Sequence, residues 1–470
     1  MSANENLIAA DIRVILDKQR AACLTQEPWT AEQRCELIDR AIGLLVDYQD
    51  EIVQALNDDF GHRSHDFTRL VDVLGPLASL KYTRANIAQW MQPEPRTSDR
   101  GEAWVQYQPL GVVGILTAWN FPGNMVFNGL AGALAAGNRV MIKVSEFNPN
   151  TSALLQRIVR EVYAEDEVAI ITGGPDVGQA FCRQPFDHLL FTGASSIGKH
   201  VMHAAAENLV PVTLELGGKS PTIISRTADM KAAVSKIIAG KLHNAGQICL
   251  APDYVFVPEE QQEAFVAAVR EAVATLYPTL LDNPDYTSVI NARHFERLHG
   301  YLNEARAAGV ELIELNPADE DFDGQPFHKM VPTLLRDPGD QLQVMQDEIF
   351  GPLLPFKPYS SFAEVVGYIN SRPRPLGLYY FGNDAAEESF VLNRTTSGGV
   401  TLNDVLRHGG VETLPFGGVG NSGMGCYHGF DGFRTFSHGK SVFRGVDGPD
   451  VMRPPYSAQV RQIVGSMIKR

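Results

Sequence analysis

The chain of 470 residues is long enough for two to three domains with sizeable cores. A hydrophobic fraction of 44% and a charged fraction of 20% are typical of a soluble globular protein and exclude a largely disordered one. The formal net charge is −15, and no cluster of Lys and Arg offsets it. This charge argues against nucleic acid or an anionic membrane as the main partner.

The cysteines indicate a reducing compartment. There are five, without the paired spacing of a metal site: Cys23, Cys35, Cys182, Cys249 and Cys426. This usage predicts free thiols in the cytoplasm, and the N-terminus lacks the pattern of a secretion signal. Residues 103–138 contain no charged residue, but turn-forming residues interrupt them too early for a membrane span. We therefore expect no membrane partner.

The first hundred residues predict helices and one exposed strand. Apolar residues recur at helical spacing between about residues 9 and 58, and residues 66–91 are also predicted to be helical. Pro93 ends this second stretch. Residues 104–108 alternate large and polar side chains, which favours an exposed strand or hairpin that projects from the body as an arm.

Strands and helices alternate from residue 111 onward, which predicts an α/β fold with mostly parallel sheets. The strands of a first series are expected at residues 112–118, 139–144, 168–171, 188–191 and 212–216. Asn150 is expected to cap the helix that follows the second of these strands. The elements of a second series are expected at residues 222–224, 230–243, 254–257 and 259–276. Residues 278–340, rich in Asp, Asn and Pro, are interpreted as a surface excursion.

Cys249 and Glu215 form the candidate catalytic pair. Cys249 lies in a glycine-containing bend, and a thiol acts as a nucleophile only as the thiolate. Glu215 stands between two leucines, where loss of solvent would raise its pKa and make it a usable general base. Taken alone, Cys249 fits an inert buried thiol better than a nucleophile, and Glu215 fits a surface acid at a strand end.

Residues 193–198, between a predicted strand and a predicted helix, are a candidate phosphate-binding turn. Glycine lets the backbone approach a ligand, and a helix N-terminus favours negative charge. A tight turn without a ligand explains this segment equally well. Lys143 and Glu146 follow another predicted strand, at the edge where open α/β sheets bind ligands. In isolation, they fit a solvated strand end.

Three further segments carry candidate polar groups or loops. Asn120 follows the first strand of the series and could donate its side-chain amide to an oxyanion, although a turn-forming Asn explains it better in isolation. Glu348 and Phe350 lie beside a backbone turn and, taken alone, fit a solvated acid and a core ring. Residues 414–423 are too rich in glycine for a helix or strand and predict a shaped loop. The histidines lack metal-ligand spacing, so we expect no metal site.

These segments together resemble the NAD(P)-dependent aldehyde dehydrogenases. The resemblance runs along nearly the whole chain and rests on six motifs in family order, at residues 117–122, 143–146, 191–198, 215–219, 246–249 and 348–352. The short N-terminus and the loop at residues 415–429 resemble the dimeric class 3 branch of that family. Residues 59–64, Asp-Phe-Gly-His-Arg-Ser, are similar to the same segment of bacterial coniferyl aldehyde dehydrogenases.

The resemblance implies a function for each candidate residue. Cys249 is then the nucleophile, Glu215 the general base and Asn120 an oxyanion donor. Phe121 and Phe416 are implied to line the substrate pocket. The implied cofactor-binding residues are Trp119, Lys143, Glu146, Gly193, Ser195, Ser196, Gly198, Leu216, Gly217, Glu348 and Phe350. NAD is favoured over NADP because Glu146 would repel a 2′-phosphate, and NADP stays an alternative.

The resemblance also implies the architecture. It predicts a Rossmann-type cofactor domain from residues 1–88 and 109–214 and a second α/β, catalytic domain from residues 215–427. It further predicts a small β arm for oligomerisation at residues 89–108, a C-terminal tail at residues 428–470, and a homodimer.

The predicted reaction is oxidation of an aldehyde, aromatic by the last resemblance, to its acid. Medium-chain aliphatic aldehydes are an alternative substrate class. A CoA-acylating semialdehyde dehydrogenase would use the same cysteine but, by the family pattern, lacks the base that Glu215 provides. A crystallin-like structural or binding role is the non-enzymatic alternative.

Overall fold

A six-stranded sheet forms the first layer of the fold. The structure, a computed structural model, describes residues 3–98, 101–445 and 454–468. In spatial order the strands of this first sheet are Gly423–Met424, Val212–Glu215, His188–Thr192, Val112–Leu116, Arg139–Lys143 and Val168–Ile171. All neighbours are parallel except the first pair. Val112–Leu116 is buried at every position, as expected for a strand covered on both faces by helices.

A second, seven-stranded sheet follows the same plan. In spatial order its strands are Glu311–Glu314, Thr333–Arg336, Leu353–Tyr359, Tyr254–Pro258, Pro221–Ile224, Gly377–Phe381 and Gly399–Leu402. Only the first pair is antiparallel. The chain passes from the first sheet to the second within residues 215–221, so the carboxyl ends of first-sheet strands and the amino ends of second-sheet strands come close to this crossing. The predicted α/β fold class is confirmed.

A third, antiparallel sheet is built from Glu94–Arg96, Gly101–Pro109 and Ser437–Gly445. It contains the segment that was predicted to form an arm. Nine residue pairs join Gly101–Pro109 to Ser437–Gly445. The division into three domains and the role of this sheet in oligomerisation stay predictions.

Helices cover both main sheets. The α-helices are Ala3–Thr25, Ala31–Asp47, Gln49–Phe60, His65–Thr68, Gly75–Trp90, Pro122–Ala135, Pro149–Val162, Pro175–Cys182, Ser195–Ala206, Met230–Leu242, Gln262–Leu276, Ala292–Ala307, Gln343–Gln346, Phe362–Asn370, Ala385–Arg394, Gly429–Thr435 and Ala458–Met467. Short 3₁₀ turns lie at His243–Gly246, Glu259–Gln261 and Arg407–Gly410. Within the described ranges, no helix has the length and apolar composition needed to cross a bilayer.

The helix predicted over residues 66–91 is interrupted. A π-helical turn, Arg69–Leu74, separates His65–Thr68 from Gly75–Trp90. In a π-turn the backbone hydrogen bonds span five residues in place of the four of an α-helix. Such insertions are frequent at functional sites. Periodicity alone does not detect it, because the apolar spacing on either side stays close to helical.

The predicted cap at Asn150 is wrong, because the N-cap position belongs to Asn148 and the helix begins at Pro149. A side chain from another helix supplies the missing acceptor. The Asp59 carboxylate accepts from the backbone N–H of Asn150 and of Thr151, each at 2.9 Å. Sequence spacing did not reveal this cap, since its acceptor lies 91 residues upstream.

The interpretation of residues 278–340 as a surface excursion is also wrong. This segment contributes Ala292–Ala307 and two strands of the second sheet, Glu311–Glu314 and Thr333–Arg336. Leu298 and Leu334 are fully buried. The polar composition of the connecting loops concealed short apolar elements that pack on the second sheet.

Asn138 anchors the first βαβ unit and provides a test of this packing. Its fully buried side chain accepts from Gly111 N–H at 2.9 Å and donates to the Phe436 carbonyl at 2.8 Å. Asn138→Ala should lower the free energy of unfolding by at least about 2 kcal/mol, because buried polar groups lose their partners. The measurement is the shift of the urea midpoint. Asn393→Ala is the matched control, because the side-chain amide of Asn393 makes its hydrogen bond at the solvent-exposed surface. Its free energy of unfolding should stay within about 0.5 kcal/mol of wild type. Equal effects of the two substitutions would contradict the assignment.

Candidate active site

A cavity of about 580 Å³ opens where strands of the first sheet end and strands of the second sheet begin. Its lining includes residues that follow three strands of the first sheet, at Trp119, Gly193 and Leu216. Ligands of open α/β sheets bind at such carboxyl ends. Of the predicted site residues, the following line this cavity: Trp119, Asn120, Gly193, Ser195, Ser196, Glu215, Leu216, Gly217, Cys249, Glu348 and Phe350.

The backbone before Cys249 adopts a rare conformation. Asn244, Ala245 and Gly246 have positive φ of 49°, 51° and 76°. Two consecutive non-glycine residues in the left-handed region are costly, and such strain persists only where the surroundings enforce it. A side chain at Gly246 would overlap the carbonyl oxygen of Gly351, so only glycine fits there. The strained turn ends the helix Met230–Leu242 and leads directly into the cysteine segment.

The buried side chain of Gln247 enforces this turn. Its amide donates to the carbonyls of Asn244 at 2.8 Å and Ser288 at 3.0 Å. Its side-chain oxygen accepts from Ile290 N–H at 3.0 Å. All these groups are removed from water, where leaving one unpaired costs about 1–3 kcal/mol. Gln247 belongs to a recognised motif, but nothing in the sequence pointed to this positioning role.

Asn120 is held against the same loop. Its side-chain amide donates to the Gln247 carbonyl at 3.0 Å, and the residue is buried. A carboxamide nitrogen has two hydrogens, so this bond uses one and leaves the other. Since Asn120 and Cys249 both line the cavity, the structure brings the predicted oxyanion donor and the predicted nucleophile to one site.

The thiol of Cys249 is partly buried, and its pKa is raised above the ordinary value. Burial is the main cause, and the carboxylates of Glu348 and Glu215 add to it. A low-dielectric site beside negative charge disfavours the thiolate. Cys249 is therefore protonated at neutral pH in the free protein, and a neighbouring proton acceptor would favour its activation.

Glu215 is the predicted acceptor. It is the last residue of the strand Val212–Glu215 and is only 3% exposed. Among the described residues, neither carboxylate oxygen has a hydrogen-bond partner. Burial without compensation raises the pKa of Glu215 well above its usual range, as the flanking leucines predicted. A carboxylate with a raised pKa accepts a proton more readily at neutral pH.

The turn that precedes the helix Ser195–Ala206 lies on another wall of the cavity. Gly193 N–H donates to the Glu215 carbonyl at 3.0 Å, which ties the turn to the neighbouring strand. Ser195 donates its hydroxyl to the Asn421 carbonyl at 2.9 Å. A side chain at Gly198 would press on Leu216, so glycine allows the helix to approach the strand. The exposed N-terminal turn of a 12-residue helix is suited to a phosphate group.

Glu348 also lines the cavity. Burial, together with Asp253, raises the pKa of Glu348 to about 8. Its Oε1 is buried and has no hydrogen-bond partner among the described residues. A side chain at Gly217 would overlap the Glu348 carboxylate, so glycine leaves the space that this acid fills. Hydroxyl donors of a bound sugar would satisfy the unpaired oxygen, which fits the ribose role that the resemblance implied.

Phe350 is strained in the same loop, with a φ of 47°. Its ring meets the Trp119 ring edge-on, with centroids 5.3 Å apart. An ion pair supports the loop that carries Phe350. Lys219 pairs with Asp253, whose carboxylate also accepts from Ile349 N–H at 3.0 Å. Lys219 further donates to the Asp347 carbonyl at 2.9 Å.

Some predicted residues lie away from this cavity's lining. Lys143 and Glu146 form an ion pair, 3.7 Å apart, at the carboxyl end of the strand Arg139–Lys143. Phe121 is buried beside Phe67, with ring centroids 6.1 Å apart. The Phe416 ring stacks on His428 at 4.7 Å. The roles assigned to Lys143 and Glu146 in cofactor binding, and to Phe121 and Phe416 in the substrate pocket, stay predictions.

The cavity also contains residues that the sequence did not reveal. The His294 ring lies 5.2 Å from that of Trp119, and burial lowers the pKa of His294 to about 4. Arg297 and Arg374 add positive charge to the lining. The first two lie within residues 278–340, so the misassigned excursion hid them. Among the described residues, no three His, Cys, Asp or Glu side chains are grouped to hold a metal ion.

The chain belongs to the aldehyde dehydrogenase family, because that family's sequence pattern matches residues 4–442. It is an enzyme that acts on aldehydes, and the identification made from the motifs is confirmed. The chain is 53% identical to a probable coniferyl aldehyde dehydrogenase of Caulobacter vibrioides over 97% of this chain and 96% of the relative.

Two solved structures share the fold. A substrate-bound aldehyde dehydrogenase of Staphylococcus aureus, AldH, superposes with a TM-score of 0.91 at 34% identity, covering 97% of this chain and 99% of that one. A Mycobacterium tuberculosis aldehyde dehydrogenase, solved in complex with NAD+, superposes with a TM-score of 0.85 at 28% identity, covering 94% and 92% of the two chains.

The electrostatic coupling in the cavity predicts how Cys249 titrates. Glu348 is ionised above pH 8, where the thiol also titrates, so its charge opposes the thiolate. Glu348→Gln should therefore lower the pH midpoint of Cys249 alkylation in the free enzyme by about one unit. The measurement is the iodoacetamide rate against pH, with the Cys249 peptide followed by mass spectrometry. Glu146→Gln, outside the cavity lining, is the control. An unchanged midpoint in Glu348→Gln, or an equal shift in both variants, would contradict the coupling.

Proposed function

We propose that this enzyme oxidises an aromatic aldehyde to its carboxylic acid with NAD, through an acyl group carried on Cys249. The observation that carries the proposal is that Cys249, Glu215 and Asn120 line one cavity. A nucleophile, a proton acceptor and an oxyanion donor are the groups that acyl transfer requires.

The first step is attack of the Cys249 sulfur on the aldehyde carbon. The thiol proton passes to Glu215, whose raised pKa suits it to accept one. The carbonyl oxygen becomes an oxyanion, stabilised by the remaining N–H of the Asn120 amide and by the Cys249 backbone N–H. Loss of one such donor lowers the rate by about 100- to 1,000-fold.

NAD is the proposed cofactor, and when bound it supplies the acceptor for the hydride that leaves the substrate carbon. The cavity residues fit such a molecule. The unpaired Glu348 oxygen suits a ribose hydroxyl, and the helix that begins at Ser195 suits a phosphate. We assign Glu146 and Lys143 to the adenine ribose, where Glu146 disfavours the 2′-phosphate of NADP. The M. tuberculosis relative that was solved with NAD+ supports this choice.

Glu215 has a second task after oxidation, when the acyl group is a thioester on Cys249. It first releases to solvent the proton that it took from the thiol, and then takes a proton from water while the resulting hydroxide attacks the thioester carbon. This second proton passes to the departing sulfur. The carboxylic acid departs and the thiol is regenerated. A buried base at the cavity favours hydrolysis over the CoA-acylating alternative, which releases the acyl group to another thiol.

An aromatic substrate is proposed from two observations. The Caulobacter vibrioides relative is a probable coniferyl aldehyde dehydrogenase, so we propose coniferyl aldehyde and its oxidation to ferulate. Next to Asn120, the Phe67 ring contacts the rings of both Phe121 and His243. Flat faces of this kind suit a planar conjugated aldehyde.

We also propose a homodimer in the cytoplasm. Ser437–Gly445 is an edge strand in the third sheet, and the described part of the chain pairs it on one side only. Its free backbone groups are suited to pair with a second copy. The five cysteines are free thiols, as a reducing compartment maintains them.

The two-step chemistry predicts different defects in two variants. Cys249→Ala should abolish NADH formation, because no acyl group can form. Glu215→Gln should retain a pre-steady-state burst of NADH, slower than in wild type because the thiol proton must then pass to solvent. Steady-state turnover should fall at least about 100-fold, because hydrolysis loses its base. The measurement is stopped-flow absorbance of NADH. Wild-type turnover in Cys249→Ala would exclude the mechanism.

An aldehyde panel tests the substrate class. With NAD, coniferaldehyde and benzaldehyde should give higher kcat/KM than hexanal or succinic semialdehyde, because the planar rings contact the aromatic side chains. The same panel with NADP should show lower kcat/KM throughout. A preference for succinic semialdehyde would refute the aromatic assignment, and a preference for hexanal would favour the aliphatic alternative.

A further inference from the structure

A buried ion pair lies directly behind the Asn120 turn. Arg63 Nη2 and Asp72 Oδ2 are 2.7 Å apart, and both side chains are 0% exposed. Arg63 belongs to the segment at residues 59–64, and Asp72 lies in the π-helical turn Arg69–Leu74. Neither residue lines the cavity. The pair therefore touches neither substrate nor cofactor, and its role must act through its neighbours.

The remaining hydrogen bonds of the pair converge on one turn. Arg63 Nη1 donates to the Asn120 carbonyl at 2.8 Å. Asp72 Oδ1 accepts from Gly123 N–H at 3.1 Å and from Asn124 N–H at 3.3 Å. The pair thus holds the turn at both ends, on the residue that donates to the oxyanion and on the start of the next helix.

Fold stability is a weak explanation for these two charges. Burying an ion pair costs desolvation that its attraction often fails to recover, and an apolar pair of the same volume is often as stable. Two rings enclose the guanidinium, with the Phe60 centroid at 4.7 Å and the Phe121 centroid at 5.1 Å. The directional hydrogen bonds and the two enclosing rings fix the position of Arg63. An apolar pair would have no donor to hold the Asn120 carbonyl.

The π-turn explains how Asp72 reaches this position. An extra residue in the helical ladder rotates the residues that follow it. Asp72 lies within that turn, and Gly123 allows it to approach, since a side chain there would meet the Asp72 backbone and carboxylate. The helix is thus interrupted at the point where its carboxylate supports the turn.

We propose that Arg63 and Asp72 are positioning residues that set the Asn120 amide for oxyanion stabilisation. The inference rests on the role of Asn120 in the proposed function and deepens it. Asn120 has its side chain on the Gln247 carbonyl and its own carbonyl on Arg63. These contacts define the direction of its remaining N–H. Among the described residues, removing Arg63 leaves the Asn120 carbonyl with only the longer contact, 3.4 Å, from the Asn244 side chain.

A double-mutant cycle on kcat tests the coupling between Arg63 and Asn120. Arg63→Lys keeps the charge but loses the forked geometry, and should lower kcat by about 10-fold or more with the Kd for NAD unchanged. Asn120→Ala should lower kcat by about 100-fold or more in the wild-type background. In the Arg63→Lys background the same change should cost at most about 10-fold, because the amide is already misplaced. Fold-losses that multiply would overturn the inference.

Two further variants separate positioning from folding. Arg69→Lys changes an exposed Arg–Asp pair on the same helical segment, with Asp50 at 2.8 Å, and should retain wild-type kcat. Arg63→Met combined with Asp72→Leu removes both charges and leaves no unpaired ion. This double variant should bind NAD with the wild-type Kd, and its kcat should be lowered as in Arg63→Lys. Adding Asn120→Ala to it should lower kcat little further. Wild-type kcat in this double variant would overturn the inference.

The outcomes also distinguish this inference from the function on which it rests. If Asn120→Ala alone keeps wild-type kcat, the oxyanion role fails and the inference fails with it. If Asn120→Ala is impaired but its loss is the same in every background, only the positioning role fails.

Discussion

The carbonyl of Gln247 is the point at which the two halves of the site are joined. It accepts from the Asn120 side chain at 3.0 Å and from the Asn244 side chain at 3.2 Å. Asn120 follows a strand of the first sheet, whereas Asn244 belongs to the turn that leads into Cys249. The Asn120 side chain and the turn that leads into Cys249 therefore share one buried acceptor, and a shift of either segment would break a hydrogen bond that water cannot replace.

This constraint explains why costly features accumulate around one small volume. The left-handed residues before Cys249, the positive φ of Phe350 and the buried charges of Lys219 and Asp253 are each unfavourable locally. Each holds a backbone segment that carries a group of the cavity lining. Two buried ion pairs act in parallel, one beneath the Glu348 loop and one behind the Asn120 turn. Rigid support of this kind fixes reacting groups before the substrate arrives.

The electrostatics of the cavity favour proton transfer over ionisation. The thiol lies near two carboxyl groups, Glu215 and Glu348, and all three have raised pKa values. Release of the thiol proton to solvent would add a negative charge to a buried site. Transfer to Glu215 leaves the net charge of the site unchanged, so it avoids most of this cost.

The sequence predicted what depends on local pattern. The buried strand Val112–Leu116 is a continuous apolar run, and the predicted cysteine, base and oxyanion residues lie in short motifs in family order. The sequence did not predict contacts between segments that lie far apart along the chain. The Asp59 cap, the ring of His294 on Trp119 and the Arg63–Asp72 pair each join residues that no local pattern links. The π-turn was missed because one extra residue barely disturbs helical periodicity.

The central claim is that Cys249 carries the acyl group that Glu215 releases. The most direct measurement is mass spectrometry of Glu215→Gln, mixed with coniferaldehyde and NAD and quenched in acid. We expect one feruloyl group per chain, on the peptide that contains Cys249, and we expect it to form only when NAD is present. An unmodified chain that has formed NADH, or an acyl group on another cysteine such as Cys426, would contradict it.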